Sequence, residues 1–298
     1  MIYTVTFNPA IDYVMRTEKV VSGMVNRSES EEISFGGKGI NVSVMLAELG
    51  EKSVALGFVA GFTGKAIEDA LKEKGIKTDF VRLKSGNSRI NVKIKAGEET
   101  EINGNGPDIT EEDIAELLSK LSSLRKGDTL VIAGSVPSTV QGDIYERIMK
   151  SLSKEVEIVV DAEGRLLLGV LQYKPFLVKP NNIELGALFG ARITTKEETV
   201  TYAKKLQNIG ARNVLVSMAG DGAVLVDETG KVHMTQAPQG KVLNSVGAGD
   251  SMVAGFLAGY AKTCDYSYAL TLGIAAGSAT AFSNGLATRE KVEELMNM

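Results

Sequence analysis

A chain of 298 residues with one cysteine and one histidine has little access to the commoner kinds of enzyme chemistry. A lone Cys264 excludes an internal disulfide and a multi-cysteine zinc site. Its place after a helical run reads as a small buried apolar residue. A lone His233, in the strand-like VHMT, excludes His-rich metal sites and argues against a histidine-based triad. No uninterrupted apolar run reaches the ~20 residues of a membrane span. The N-terminus opens directly onto strand-like IYTVTF without a signal-peptide pattern, so the expected compartment is the cytoplasm. A net charge of -4 gives no electrostatic reason to expect nucleic acid or an acidic membrane as partner. Neither G-x-x-x-x-G-K-[ST] nor G-x-G-x-x-G occurs, which lowers P-loop NTPase and nicotinamide dehydrogenase readings together. What remains is Asp, Glu, Lys, Arg, Asn and backbone amide. That set suits phosphoryl transfer, which needs positioning and charge neutralisation more than a strong nucleophile.

The hydrophobic content of 44% and charged content of 23% are those of an ordinary globular protein. With no low-complexity linker or repeat, residues 1–298 read as a single domain. Apolar strands at 2–7, 53–59, 129–133, 157–161, 176–178 and 213–217 alternate with helical patterns at 40–49, 63–74, 111–124, 141–153, 181–189 and 196–209. A hairpin at 223–227 and 232–235 and three closing helices follow. Such alternation implies an α/β fold, a doubly wound and mostly parallel sheet covered on both faces. Two excursions, at about 13–35 and 89–103, have short alternating polar pieces instead. They predict a small accessory β-sheet serving as a lid, a dimer contact, or both.

The stretch Asn244-Ser245-Val246-Gly247-Ala248-Gly249-Asp250-Ser251 runs three small residues into an acid just before a long apolar helical pattern. Free backbone amides and the dipole at a helix start attract anions, and Gly and Ala permit close approach. Asp250 in the mouth of such a cradle would repel a resting phosphate. It makes sense as a base that takes a proton from an attacking hydroxyl while the amides neutralise the group in transfer. Helix capping by Asp250 is the bland alternative.

Other strand ends carry polar residues where an α/β crevice opens. Asp12 follows the first strand, beside Asn8-Pro9, as a polyol ligand or a turn former. The loop Gly36-Gly37-Lys38-Gly39 leads into a helix whose Asn41 can offer a sugar hydroxyl both donor and acceptor. Ser135 sits in a Gly-Ser-Val-Pro turn. Asn181 and Glu184 stand three apart at a helix start, able to hold a hydrated Mg²⁺ or to cap the helix. The glycine turn 217–223 suits a nucleotide loop or a hairpin connector. Arg27, Arg89, Lys93 and Lys38 would form a second anion site if they converge, as expected for a substrate already phosphorylated at one end.

The ordered set Asp12, GGKGIN (36–41), Arg89, GSVP (134–137), KPNNIE (179–184), SMAGDGA (217–223) and NSVGAGDS (244–251) spans nearly the whole chain. It closely resembles the ribokinase-like (phosphofructokinase B) sugar kinases. The stretches TVTFNPAIDY, SRINVKIK with TEINGNGP, and SMAGDGA are most similar to members acting on fructose 1-phosphate. The resemblance implies Asp250 as catalytic base, with Gly247, Ala248 and Gly249 as the anion hole. Asp12, Gly37, Asn41, Asn103 and Ser135 would bind the sugar. Lys38, Arg89, Lys93 and Arg27, the last of which a partner subunit could supply, would hold its phosphate. Lys179, Asn181, Ser217, Gly220, Gly222 and Gly249 would contact ATP, and Asn181 with Glu184 would organise Mg²⁺ through water. The small sheet would be lid and homodimer clasp. Where many relatives begin the last motif with Asp-Thr, this chain has Asn244-Ser245. The implied reaction is transfer of the ATP γ-phosphate to the 6-hydroxyl of fructose 1-phosphate. Tagatose 6-phosphate and fructose 6-phosphate are alternative acceptors, and a sugar-phosphate-binding regulator without turnover is a reading of another class.

Overall fold

Ile2-Tyr3-Thr4-Val5-Thr6, a β-branched run buried on both faces, forms the strand from which the architecture grows. The computed structural model describes residues 1–137 and 139–297. Its strands are β1 (Ile2–Thr6), β2 (Ala10–Arg16), β3 (Ser30–Gly36), β4 (Ser53–Val59), β5 (Lys77–Thr78), β6 (Val81–Arg82) and β7 (Arg89–Lys95). They continue with β8 (Glu99–Asn103), β9 (Thr129–Ala133), β10 (Glu157–Asp161), β11 (Leu177–Val178), β12 (Asn213–Ser217), β13 (Ala223–Val226) and β14 (Val232–Thr235). The helices are α1 (Lys38–Glu48), α2 (Gly61–Glu73), α3 (Glu111–Leu121), α4 (Ile144–Ser151), α5 (Gly164–Val170), α6 (Asn182–Leu188) and α7 (Lys196–Ile209). Three more close the chain, α8 (Ala248–Thr263), α9 (Tyr266–Ala281) and α10 (Arg289–Met296).

The main sheet runs β14-β13-β12-β11-β10-β9-β1-β4-β5, with β6 also paired to β4. Pairing is parallel from β12 across to β5 and antiparallel only in the β12-β13-β14 meander. One face packs Ile132, Val160 and Val216 against α3–α7, through Leu117, Ile148, Val170 and Leu206. The other packs Val131, Val159 and Leu215 against α1 and α8–α10, through Met45, Phe256, Ile274 and Val292. This is the doubly wound arrangement read from the alternation. The chain leaves β1 for β4 on one side and returns to β9 on the other. The carboxyl end of β1 is therefore the switch point at which such sheets receive ligands.

The accessory sheet, expected to act as a lid, has four strands, β3-β2-β7-β8. It begins at Ala10, three residues before the expected 13, so Asp12 lies within a lid strand rather than in a turn after β1. The alternation that was read as strand sorts its faces. Ser34, Asp12, Asn91 and Asn103 form one row across all four strands, and Ile33, Tyr13, Val92 and Ile102 form the next row on the opposite face. Cys264 corrects another expectation: it is exposed, because it is the left-handed residue that ends α8 rather than part of its buried face.

Candidate active site

Five neighbouring parallel strands deliver their carboxyl ends to one cleft of about 1100 Å³. β1 brings Phe7 and Asn8, β9 brings Gly134 and Ser135, and β10 brings Asp161 and Glu163. β11 brings Lys179 and Asn181, and β12 brings Ser217 and Gly220. The lid contributes Asp12, Arg89, Asn91, Lys93, Glu101 and Asn103, while Gly37, Lys38 and Asn41 enter from α1. Gly247 to Asp250 at the start of α8 join the lining, as do residues 237–240 and, from α9 and its end, Ile274, Gly277, Ser278, Ala281 and Phe282.

Gly247 precedes α8 with φ 80, and a side chain there would begin 2.7 Å from Leu286. The positive φ favours glycine, while the Leu286 side-chain end could shift aside. The Ala248 amide is spent on the Ser245 carbonyl, at 3.2 Å. The amides of Gly249 and Asp250 belong to the first turn, where no intrahelical acceptor exists. They are the ones an anion can use. Asp250 is only 5% exposed. Asn41 Nδ2 donates to its Oδ2 at 2.8 Å. Burial, reinforced by the charge of Asp161, pushes its pKa up to about 6 against the opposing pull of Asn41, Lys38 and Lys179. A carboxylate so placed is a base poised near neutral pH.

Asp161, which the sequence reading passed over, holds the cations here. Lys38 Nζ lies 3.4 Å and Lys179 Nζ 3.5 Å from its Oδ1. Burial works against the Lys38 charge, but Asp161, Asp250 and Glu184 outweigh it and hold its pKa above the usual lysine value. A side chain on Gly249 would begin 3.2 Å from Lys179 Nζ, so this lysine overhangs the amide cradle. Lys38 thus belongs to the cradle end, not to the lid cations with which it was grouped. The signal was available: an acid closing the strand Glu157-Ile158-Val159-Val160-Asp161 stands at a carboxyl end where ligands bind.

Across the cleft, Arg89 and Lys93 share a face of β7. Arg89 Nε donates to the Asn8 carbonyl at 3.0 Å, and burial lowers the arginine's pKa despite Asp12. Lys93 lies 3.6 Å from Glu101. Asp12 accepts a 2.8 Å bond from Asn91 Nδ2. Asn91 was also missed, although the alternation R-I-N-V-K sets it between the two cations.

Asn181 caps α6: its side chain accepts from the Glu184 amide at 2.7 Å, and Glu184 Oε2 accepts from the Asn181 amide at 2.9 Å. The capping alternative is therefore realised, and it leaves Glu184 Oε1 for another partner. Two expected residues fall outside the lining. Gly222, at φ 89, makes the turn into β13, where a side chain would begin 2.1 Å from the Thr235 carbonyl. Arg27 lies in the exposed stretch between β2 and β3, and its own chain does not fold it back into the cleft. His233 pairs with Asp227 at 2.8 Å on the meander, away from the cleft.

One cleft thus holds a buried carboxyl, two cation groups and several further polar side chains. The chain is 50% identical to a 1-phosphofructokinase of Bacillus subtilis, over 99% of this chain and 97% of that protein. It is 39% identical to a D-tagatose-1-phosphate kinase of Bacillus licheniformis, over 99% of this chain and 97% of that one. The crystal structure of phosphofructokinase-2 from Escherichia coli in complex with fructose-6-phosphate superposes with a TM-score of 0.90 at 27% identity, covering 99% of this chain and 98% of that one. The model of the pfkB family of carbohydrate kinases matches residues 4–292, and the chain belongs to that family.

Proposed function

We propose that the protein transfers the γ-phosphate of ATP to the 6-hydroxyl of fructose 1-phosphate, giving fructose 1,6-bisphosphate. The observation that carries this is the pairing of Asp250 and its amide cradle with a separate cation pair, Arg89 and Lys93, in the same cleft. The relatives named 1-phosphofructokinase support the choice of acceptor.

On this reading Arg89 and Lys93 hold the existing phosphate, with Asp12, Asn41 and Ser135 on the hydroxyls. Asp250 Oδ2 is already engaged by Asn41, which leaves Oδ1 to take the proton of the 6-hydroxyl as its oxygen attacks phosphorus. The amides of Gly249 and Asp250, with Lys38 and Lys179, neutralise charge on the phosphoryl group in transit. The donor set fits a hydrated Mg²⁺, because the capping box spends one oxygen of Glu184 and leaves the other, and magnesium keeps most of its water. Bound with ATP, Mg²⁺ supplies charge neutralisation on the phosphate chain. Ser217 and Gly220 are assigned to the nucleotide, and the work is assigned to the cytoplasm, where ATP and ketose phosphates occur.

Tagatose 1-phosphate is the second candidate acceptor, since two relatives at 39% and 32% identity are named D-tagatose-1-phosphate kinase. It differs from fructose 1-phosphate only in configuration at C4 and replaces tagatose 6-phosphate as the alternative. Fructose 6-phosphate, bound in the Escherichia coli structure, is the third. Coupled assays of ADP release with Mg-ATP and each ketose phosphate test the proposal. The expected order puts fructose 1-phosphate first in kcat/KM. Absence of turnover on it removes the proposal, and tight binding without ADP release would revive the regulator reading.

A further inference from the structure

Asn91 Oδ1 is the one buried side-chain polar atom without a hydrogen-bond partner among the described residues. Its residue is 7% exposed and lines the cleft. The orientation of the amide is not arbitrary. Asp12 Oδ1, 2.8 Å away, can only accept when ionised, so the facing group is the NH₂ and the carbonyl is the orphan. Buried carbonyls lacking donors are rare, and one kept in a cleft calls for a ligand.

The neighbours restrict what that ligand group is. Arg89 and Lys93 stand two residues before and after Asn91 on the same face of β7, and Asp12 and Asn103 flank it across the sheet. A phosphate dianion gravitates to the cations but carries no proton for a carbonyl. Asp12 and Asn91 Oδ1 are both acceptors. The group that can donate to either is a hydroxyl on a carbon near the phosphate, each hydroxyl giving its one proton to one acceptor. We propose that Asn91 is a specificity-determining residue whose Nδ2 fixes Asp12 and whose carbonyl accepts a hydrogen bond from a ring hydroxyl of the phosphorylated sugar. This rests on the sugar-phosphate kinase reading and deepens it. Oδ1 is closed to solvent in this conformation, so the proposal requires β7 to shift when the sugar binds.

The test pairs one substitution with substrate analogues. Asn91→Leu keeps the γ-branched shape, in a somewhat larger side chain, and removes both polar atoms. Wild type and variant are assayed with fructose 1-phosphate, with its 3-deoxy and 4-deoxy analogues, and with 2,5-anhydromannitol 1-phosphate, which lacks the 2-hydroxyl. In wild type one analogue should lose about 10- to 100-fold in kcat/KM, and in Asn91→Leu the loss from that same deletion should vanish. KM for ATP should stay put. The melting temperature of the free variant should change little, since the substitution removes an unsatisfied buried carbonyl together with the bond to Asp12, while the stabilisation conferred by fructose 1-phosphate should shrink. Asn91→Asp, which keeps the shape but sets two carboxylates together, should not rescue. Equal losses in both enzymes for every analogue, with wild type active, overturn the role of Asn91 alone. A wild type inert on all ketohexose phosphates overturns the underlying reading and this inference together.

Discussion

At the residue scale the site turns on a buried acid that resists ionisation. Moving Asp250 from 3.8 to about 6 corresponds to about 3 kcal/mol between its protonation states. Burial and Asp161 favour the neutral acid, so the native chain binds this proton more tightly than the unfolded chain. Its stabilising contribution is complete below 3.8 and lost as pH rises through about 6. Catalysis needs the other form. We therefore expect kcat/KM for the sugar phosphate to rise with pH and level off above about 6. Asp250→Asn should lower turnover by on the order of 10²–10⁴. The same variant should melt a few degrees higher at pH 8, because Asn keeps the bond from Asn41 and drops the buried charge. Because Gly247, not Asp250, occupies the N-cap of α8 and no side chain caps that end, a rate that does not fall below pH 5, or a variant close to full activity, would strip Asp250 of the role of base.

At the element scale, position was legible wherever period and burial agree. The strands at 53–59, 129–133, 157–161 and 213–217 were read to the residue because each is a continuous apolar run between turns. Helix ends moved by up to three residues, since only capping geometry fixes them, and capping depends on side-chain contacts. α6 shows how one pair of residues can serve both readings proposed for it. Asn181→Ala removes the cap and should cost about 1 kcal/mol of stability. Glu184→Gln should cost little, because Gln also serves at the third position of a capping box. If Glu184 also organises magnesium, the Gln variant should need clearly more Mg²⁺ for half-maximal rate at an unchanged melting temperature. Identical Mg²⁺ titrations in wild type and Glu184→Gln would confine the residue to capping.

At the scale of the whole molecule, what the sequence hid was juxtaposition. Asp161 ends an unremarkable strand, and becomes important only because Lys38, at the start of α1 and 123 residues away, meets it beside Lys179. Arg27 raises the same problem one level up, since within its own chain it lies exposed and outside the cleft. The lid explains how it could arrive. Its inner row of Ser34, Asp12, Asn91 and Asn103 is polar, while its outer face leaves Ile33 55% and Ile102 61% exposed, with Val20, Val21, Met24 and Val25 uncovered in the adjoining loop. A sheet face so apolar calls for a cover, and a second copy of the lid is self-complementary under two-fold symmetry. We expect a homodimer in solution, and Ile33→Glu with Ile102→Lys should give monomers by sedimentation with weakened sugar-phosphate binding. If Arg27 crosses to the partner, Arg27→Glu and Asp250→Asn chains, each nearly inactive, should complement when mixed by unfolding and refolding. Half the dimers would be hybrid with one intact site each, so activity should recover to about a quarter of wild type. No recovery beyond the sum of the two variants, from a mixture shown to contain hybrids, would confine each cleft to residues of its own chain.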